Sequence, residues 1–216
     1  KLVRNAISKK VKKIIYFSTA HVYNNPLKGI VTEDTCPKNK HPYSTSHLAG
    51  ENIVIQAQLS GKVQGVVLRL SNCIGAPMSI DSNCWMLLVN DLCKQIIEHQ
   101  EMKINTNGKQ LRNFIAIEDI CRVVKLFTEL NFRSNENTIF NVGNETISIL
   151  DMAEIIQKRC KLILGFSPKL EINKQDNVVV ENFEFITNKI ESIGFKTHTS
   201  YEKEIDDLLI FCKNHF

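Results

Sequence analysis

Short apolar runs and longer amphipathic stretches alternate along this chain. Four predominantly apolar runs, at residues 14–17, 66–70, 114–117 and 139–142, predict strands that are buried on both faces. Apolar residues at helical spacing predict helices over residues 2–13, 44–60, 85–99, 118–130, 149–160 and 201–214. Alternation of strands with helices indicates parallel βαβ units, so the predicted fold class is α/β.

Polar segments with proline and glycine separate these elements. Residues 24–42 contain Pro26, Gly29, Pro37 and Pro42 and predict a surface loop. Residues 71–77 (SNCIGAP) and 105–109 (NTNGK) predict turns. Ser148 is the predicted N-cap of the helix that begins at residue 149.

Two polar segments contain candidate catalytic side chains. Residues 17–23 (FSTAHVY) follow the first predicted strand and place Thr19 at its carboxyl end, where ligands bind in open α/β sheets. Residues 43–47 (YSTSH) open a helix and place Tyr43 and His47 four residues apart on one face. A hydroxyl and a tyrosine held in this way can act on a carbinol or a carbonyl.

The two segments resemble the extended short-chain dehydrogenase/reductase family, whose pattern is Ser-Ser/Thr-x-x-Val-Tyr-Gly followed by Tyr-x-x-x-Lys. The resemblance implies a Rossmann-like doubly wound parallel sheet with a smaller α/β substrate-binding domain. Thr19 and Tyr43 match the catalytic hydroxyl and tyrosine of the pattern. The chain departs from the pattern at Asn24, where the family has glycine, and at His47, where it has lysine.

Later segments extend the resemblance in the same order along the chain. Residues 68–75 (LRLSNCIG) are similar to the family's Leu-Arg-x-x-Asn-x-x-Gly, and residues 112–120 (RNFIAIEDI) to its Arg-Asp-Phe-Val-x-Val-x-Asp-Val. The likeness implies that Leu70 borders the nicotinamide, and that Asn72 and Arg112 contact the sugar or diphosphate of a nucleotide sugar. Residues 140–143 and 148–150 match the stretch before the helix of the family's substrate domain, and residues 187–195 resemble the family's closing Thr-x-Lys-x-x-x-Leu-Gly-Phe.

The family implies an NAD(P)-dependent nucleotide-sugar epimerase or ketoreductase. Its implied site residues are Thr19, Tyr43 and His47 for catalysis, Tyr43, His47 and Leu70 for NAD or NADP, and Asn72 and Arg112 for substrate. The alternative is a non-catalytic relative that binds a nucleotide or a partner protein. The missing family lysine and the missing glycine-rich loop favour that alternative.

The residues after Thr19 bear on the reaction class. The 4,6-dehydratases of the family have Asp-Glu there, and this acid-base pair removes water across two carbons. Ala20 and His21 cannot supply two carboxylates, so dehydration is not expected unless His21 acts as the acid or base. Epimerisation and carbonyl reduction need only the tyrosine, the hydroxyl and the cofactor.

The resemblance also implies a domain division. Residues 1–75 would form the C-terminal part of the cofactor domain, with 112–130 returning to it, and residues 76–111 and 131–216 the substrate-binding domain. The family's opening Gly-x-x-Gly-x-x-Gly loop is absent here, which indicates either a fragment of a longer protein or a truncated relative. We expect a fragment, because a truncated open sheet would leave an apolar edge exposed. Family members often dimerise through the helix that carries Tyr43, which makes a homodimer a further expectation.

Composition bears on the cellular compartment, on metal binding and on possible partners. Seven cysteines without a C-x-x-C pair argue against a disulfide framework or zinc site, predict no metal, and fit a reducing cytoplasm. The basic run from Lys9 to Lys13 has no interleaved aromatic residues for base stacking, so a solvated helix end is favoured over nucleic-acid contact. Apolar runs are far shorter than the roughly 20 residues of a membrane span.

Overall fold

A computed structural model describes residues 1–173 and 181–216 of the chain. Its residues group into two compact units. Unit 1 comprises Lys1–Ser71, Ile120–Asn144 and Phe183–Thr197. Unit 2 comprises Asn72–Asp119, Glu145–Asn182 and His198–Phe216, of which residues 174–180 lie outside the described part.

Helices and strands alternate through most of the described chain. The helices are α1 (Leu2–Ser8), α2 (Pro42–Leu59), α3 (Leu88–His99), α4 (Ile117–Glu129), α5 (Ile149–Leu164), α6 (Asn188–Ser192) and α7 (Tyr201–His215). The strands are β1 (Lys13–Thr19), β2 (Gly29–Val31), β3 (Gln64–Leu70), β4 (Asn72–Ile74), β5 (Glu101–Ile104), β6 (Leu111–Ala116), β7 (Ile139–Val142), β8 (Thr146–Ser148), β9 (Lys169–Ile172) and β10 (Phe183–Phe185).

The main sheet of unit 1 has the strand order β1-β3-β7, with both pairs parallel. The central strand β3 is apolar because it is covered on both faces, and Val66, Val67 and Leu68 are fully buried. The predicted α/β class with parallel strands is therefore confirmed. A second pair in unit 1 joins β2 to β10, also in parallel.

Unit 2 builds its core from three helices and short strands. Buried side chains of α3, α5 and α7, among them Leu92, Ile156 and Leu208, form one apolar cluster. Strand β6 pairs with β4 in parallel and with β8 in antiparallel orientation, and β5 pairs with β9. Ser148 caps α5 as predicted, in a reciprocal capping box with Asp151.

Several local predictions were wrong: two short strands were missed, and one helix begins later than predicted. The predicted loop 24–42 contains β2, and the predicted turn 71–77 contains β4. The helix expected from residue 85 begins at Leu88. Both missed strands have only three residues, which carry too little periodicity to be detected, and their pairing partners lie far away in the sequence.

The units also group differently from the predicted domains. Residues 131–144 and 183–197, expected in the substrate-binding domain, group with unit 1. Residues 72–75 and 112–119, expected in the cofactor domain, group with unit 2. The grouping of β7 follows from its parallel pairing with β3, with Leu70 opposite Val142. The assignment of cofactor and substrate roles to the units stays a prediction, and residues 174–180 of it lie outside the described part.

Candidate active site

Thr19 and Leu70 lie side by side at the carboxyl edge of the main sheet in unit 1. They end β1 and β3 and face each other in the parallel register. The Thr19 hydroxyl is largely buried and accepts a hydrogen bond of 3.2 Å from the His21 backbone N–H. This bond starts the single 3₁₀ turn Ala20–Val22, which leads the chain away from the sheet edge. The hydroxyl can still donate its proton, since it uses only an acceptor site in that bond.

Tyr43 and His47 meet at the start of α2. The helix begins after His41, whose Nδ1 accepts from the Tyr43 backbone N–H at 3.2 Å, and Pro42 occupies the first helical position. The Tyr43 and His47 rings are edge-to-face, with centroids 4.6 Å apart, and the Tyr43 side chain is half exposed. A phenol so placed can reach a bound molecule while its ring is held by the imidazole.

The two ring nitrogens of His47 differ in what they can do. Nδ1 is buried and has no hydrogen-bond partner among the described residues. A proton on Nδ1 would find no acceptor, so of the two neutral tautomers the one that carries its proton on Nε2 is favoured. His47 can therefore donate a hydrogen bond, but it is not the permanent cation that a lysine would be.

Tyr16 is a second phenol beside this pair, and the sequence analysis did not single it out. Its ring centroid lies 6.1 Å from that of His47. Burial raises the pKa of the Tyr16 hydroxyl, and the negative charge of Glu51 and the neighbouring Tyr43 phenol raise it further. Tyr16 is therefore neutral over the physiological range and contributes packing and hydrogen bonding rather than charge.

A buried ion pair lies beneath the sheet edge in unit 1. Glu51 of α2 is 0% exposed and Arg69 of β3 is 3% exposed. Arg69 Nε donates to Glu51 Oε1 at 3.0 Å and Nη2 donates to Oε2 at 2.7 Å, which is the bidentate geometry. Ser18 Oγ donates to Glu51 Oε1 at 2.5 Å. We call these three residues the Glu51 cluster.

The charge on Arg69 is maintained despite its burial. Burial acts to lower the pKa of the guanidinium, but the hydrogen bonds to Glu51 and the nearby Tyr23 outweigh it, so the pKa lies above its usual value. The guanidinium carbon also stacks 4.7 Å from the centre of the Tyr23 ring. Two opposite charges therefore persist inside the unit and hold each other in place.

Tyr23 links this region to β7. Its hydroxyl donates to Asn141 Oδ1 at 2.6 Å, and the Asn141 backbone N–H donates to Glu33 Oε1 at 2.9 Å. Burial raises the pKa of Tyr23 to about 12, even though Arg69 acts in the opposite direction. The tyrosine at position 23 of the sequence motif therefore has a structural role through this hydrogen bond.

Asn72 and Arg112, the predicted substrate contacts, both lie in unit 2. Asn72 opens β4, and its Nδ2 donates to the backbone carbonyl of Asn113 at 2.8 Å. Arg112 lies on β6 and makes no ion pair with another described residue. The residue as a whole is exposed, but its guanidinium is partly desolvated, and this burial lowers the pKa of Arg112 from its usual value. Of these two residues, the Asn72 amide oxygen, the second hydrogen of Asn72 Nδ2 and the Arg112 guanidinium remain available to a ligand.

The described part of the chain has neither a cluster of metal-ligating side chains nor a helix that could cross a membrane. Residues 1–173 and 181–216 contain no group of three or more His, Cys, Asp or Glu side chains arranged to hold a metal ion. No helix among the same residues is long and apolar enough to cross a membrane. All seven cysteines carry free thiols.

The chain matches a protein-family model and is similar in sequence to curated relatives. The sequence model of the NAD dependent epimerase/dehydratase family matches residues 1–143. The chain is 25% identical over 223 residues to dTDP-D-glucose 4,6-dehydratase of Mus musculus, a match that covers 100% of this chain and 59% of the relative. It is 28% identical over 158 residues to the Homo sapiens enzyme of the same name, covering 72% of this chain and 43% of the relative. The chain thus spans about half the length of these curated relatives.

Solved structures share the fold. A UDP-N-acetylglucosamine 4-epimerase from Methanobrevibacter ruminantium, in complex with UDP-N-acetylmuramic acid, has a TM-score of 0.80 at 19% identity, covering 100% of this chain and 67% of that one. A UDP-glucuronic acid 4-epimerase from Bacillus cereus, in complex with NAD, has a TM-score of 0.79 at 23% identity, covering 99% and 65%. At these identities the likeness establishes the fold.

Proposed function

Because the chain belongs to the NAD dependent epimerase/dehydratase family, we propose that it is part of an NAD(P)-dependent nucleotide-sugar epimerase or ketoreductase. One observation carries the proposal. Within unit 1, α2 presents the paired rings of Tyr43 and His47, and the parallel strands β1 and β3 end together at Thr19 and Leu70. The carboxyl edge of a parallel sheet is where cofactors and substrates of this fold class bind.

In this proposal Tyr43 is the acid-base residue and Thr19 holds the reacting oxygen. The half-exposed Tyr43 side chain acts in two forms: as the phenolate it takes the proton of a sugar hydroxyl and becomes the phenol, and as the phenol it returns that proton to a carbonyl oxygen. Thr19 donates its free hydroxyl proton to the same oxygen, which stabilises the charge that develops there. Once the sugar hydroxyl has lost its proton, the carbon that bears this oxygen is a better hydride donor.

The residues present suit a nicotinamide cofactor. His47 has one ring nitrogen buried without a partner and the other free to donate, as a contact to a ribose hydroxyl requires. The backbone at Leu70 ends a strand at the same edge. Bound NAD or NADP would supply hydride transfer, which no amino-acid side chain can perform. His47, Tyr43 and Leu70 would hold and orient it.

Ala20 and His21 favour epimerisation or reduction over dehydration. The mouse and human relatives carry the name 4,6-dehydratase, whereas this chain lacks the two carboxylates expected after Thr19 for that reaction. Loss of water across two carbons needs an acid and a base in addition to the tyrosine. The proposed reaction therefore interconverts an alcohol and a ketone on the sugar.

We propose Asn72 and Arg112 of unit 2 as the substrate contacts. Arg112 suits a diphosphate, because its planar guanidinium forms paired charge-assisted bonds with phosphate oxygens. Asn72 would bind through its amide oxygen or through the second hydrogen of Nδ2, since Nδ2 uses one hydrogen in the bond to Asn113. We also propose a reducing, cytoplasmic setting, which the seven free thiols favour, and a homodimer through α2, on which Ile53 and Leu59 are exposed.

A second candidate function is a non-catalytic relative that binds nucleotides. The observation that favours it is His47 in place of the family lysine, because a neutral imidazole does little to stabilise a tyrosinate. Such a protein would bind NAD⁺ or a nucleotide sugar without turnover.

The test uses the complete natural protein that contains this chain. We would titrate NAD⁺ and NADP⁺ calorimetrically, then assay a panel of UDP- and dTDP-sugars for epimerisation and for change in nicotinamide absorbance. Tyr43→Phe should abolish turnover while cofactor binding persists, and Asn52→Ala, an exposed position on α2, serves as the control. Binding without turnover in the wild type would establish the second candidate. Wild-type turnover by Tyr43→Phe would contradict the proposed role of that residue.

A further inference from the structure

The Glu51 cluster joins the three elements that carry the candidate catalytic residues of unit 1. Ser18 immediately precedes Thr19 on β1, and Arg69 immediately precedes Leu70 on β3. Glu51 follows His47 by one helical turn on α2 and therefore lies on nearly the same face. One carboxylate thus connects the helix to both strands.

The bonds within the cluster restrain α2 in two directions. Glu51 Oε1 accepts from Ser18 Oγ at 2.5 Å and from Arg69 Nε at 3.0 Å, while Oε2 accepts from Arg69 Nη2 at 2.7 Å. Sliding or rotating the helix would break these bonds and leave a charge unpaired in the interior. The Tyr43 and His47 rings, on the preceding turns of the same helix, are held in place by the same bonds.

Stability alone does not account for such a pair. Replacing a buried ion pair by apolar side chains of similar volume is often neutral or even stabilising. An apolar contact does not fix the relative orientation of two elements, because dispersion contacts tolerate small shifts. A bidentate hydrogen-bonded pair does not tolerate such shifts. Catalysis is sensitive to shifts of that size, since a displacement of about 1 Å can cost about a hundredfold in rate.

We propose that Glu51 is a positioning residue, which acts through α2 to fix Tyr43 and His47 relative to Thr19. Ser18 and Arg69 are its anchors on the two strands. The proposal rests on the proposed function for its catalytic consequence, whereas its structural part concerns the placement of α2 and can be measured separately. Glu51 itself touches neither substrate nor cofactor in this scheme.

The first experiment compares the complete wild-type protein with the double variant Glu51→Leu/Arg69→Met, which removes both charges together. The variant should fold with a Tm within a few degrees of wild type. The NMR signals of the His47 ring protons should shift, because they report the edge-to-face contact with Tyr43. The kcat should fall about tenfold or more with the sugar KM within about twofold of wild type, as expected when geometry and not binding is lost.

Ser18→Ala keeps the ion pair and removes one anchor, so it should shift the His47 signals in the same direction by a smaller amount. If the double variant does not fold, Ser18→Ala alone tests whether Glu51 positions α2. Glu184→Gln, an exposed carboxylate on β10, is the matched control and should change neither readout.

The proposal is overturned if the folded double variant, or Ser18→Ala in its place, keeps the wild-type His47 signals. It is also overturned if kcat stays at the wild-type value in both. If the wild-type protein transfers no hydride with any nucleotide sugar, the proposed function fails instead, and the His47 signals still decide whether Glu51 positions α2.

Discussion

The phenol of Tyr16 leaves no room for a side chain on Gly50. A Cβ built on Gly50 would lie 2.2 Å from the Tyr16 hydroxyl oxygen and 2.5 Å from the ring carbon that carries it. Gly50 is in the interior of α2, where glycine costs about 1 kcal/mol relative to alanine. The close approach of β1 to α2 explains why glycine stands next to Glu51.

This contact predicts the effect of Gly50→Ala. The methyl group should destabilise the protein by about 1–3 kcal/mol, because overpacking at these distances exceeds the gain in helix propensity. Combining it with Tyr16→Leu, which removes the clashing atoms, should cost less than the sum of the single changes. Urea unfolding of the four proteins checks this, with Asn52→Ala on the exposed side of α2 as the control. Additive costs would show that Tyr16 is not what excludes a side chain.

The basic run near the amino end contains one lysine with a structural role. Lys13 Nζ donates to the carbonyl oxygens of Phe127 at 2.6 Å and Thr128 at 3.3 Å, and also to that of Leu130. A cation at the carboxyl end of a helix satisfies its free carbonyls and opposes its dipole. Lys13→Met should therefore lower the free energy of unfolding by about 1–2 kcal/mol. Lys12→Met removes the same charge from an exposed neighbour and should have little effect; equal losses in both variants would refute the capping role.

Glu204 gives a pH-dependent prediction in unit 2. Its carboxylate is buried and accepts from the Glu118 backbone N–H at 3.0 Å. Burial raises the pKa of Glu204 above its ordinary 4.5, and the hydrogen bond from Glu118 only partly offsets this. The folded state therefore keeps its proton over a range just above pH 4.5 in which the unfolded state has lost it. Folding becomes less favourable as the pH rises through that range.

Glu204→Gln cannot ionise but keeps an acceptor for the Glu118 N–H. Its Tm should exceed that of wild type by a few degrees near pH ~8, and the gap should shrink near pH ~5. Glu202→Gln, an exposed position on the same first turn of α7, should show no such trend. If the difference in Tm between Glu204→Gln and wild type were the same at every pH, ionisation of Glu204 would be excluded as the cause of that difference.

His47→Lys tests the departure from the family pattern. A permanent positive charge one turn from Tyr43 should favour its phenolate, so the acid limb of the kcat profile should move to lower pH. Turnover at neutral pH should be equal to or above that of wild type. His99→Lys adds the same charge to an exposed position in unit 2 as a control. Unchanged turnover and an unchanged profile would mean that His47 acts on neither Tyr43 nor the cofactor.

The sequence by itself determined the fold class, the family and the order of the long elements. Strands β1, β3 and β7 and helices α2, α4, α5 and α7 were predicted close to their observed bounds, because their periodicity and caps are local properties. The resemblance drawn from short motifs is confirmed by the family match over residues 1–143. The roles of Thr19, Tyr43, His47, Leu70, Asn72 and Arg112 stay predictions.

Only the tertiary structure decided which side chains support the candidate site. Glu51 and Arg69 are 18 positions apart and Ser18 and Glu51 are 33 apart, so neither pair leaves a periodic signal in the sequence. The same is true of Tyr16 against Gly50 and of β2 against β10, which meet only after the intervening chain has folded. Local patterns encode backbone preference and burial, whereas a hydrogen bond between distant residues depends on how the strands and helices pack.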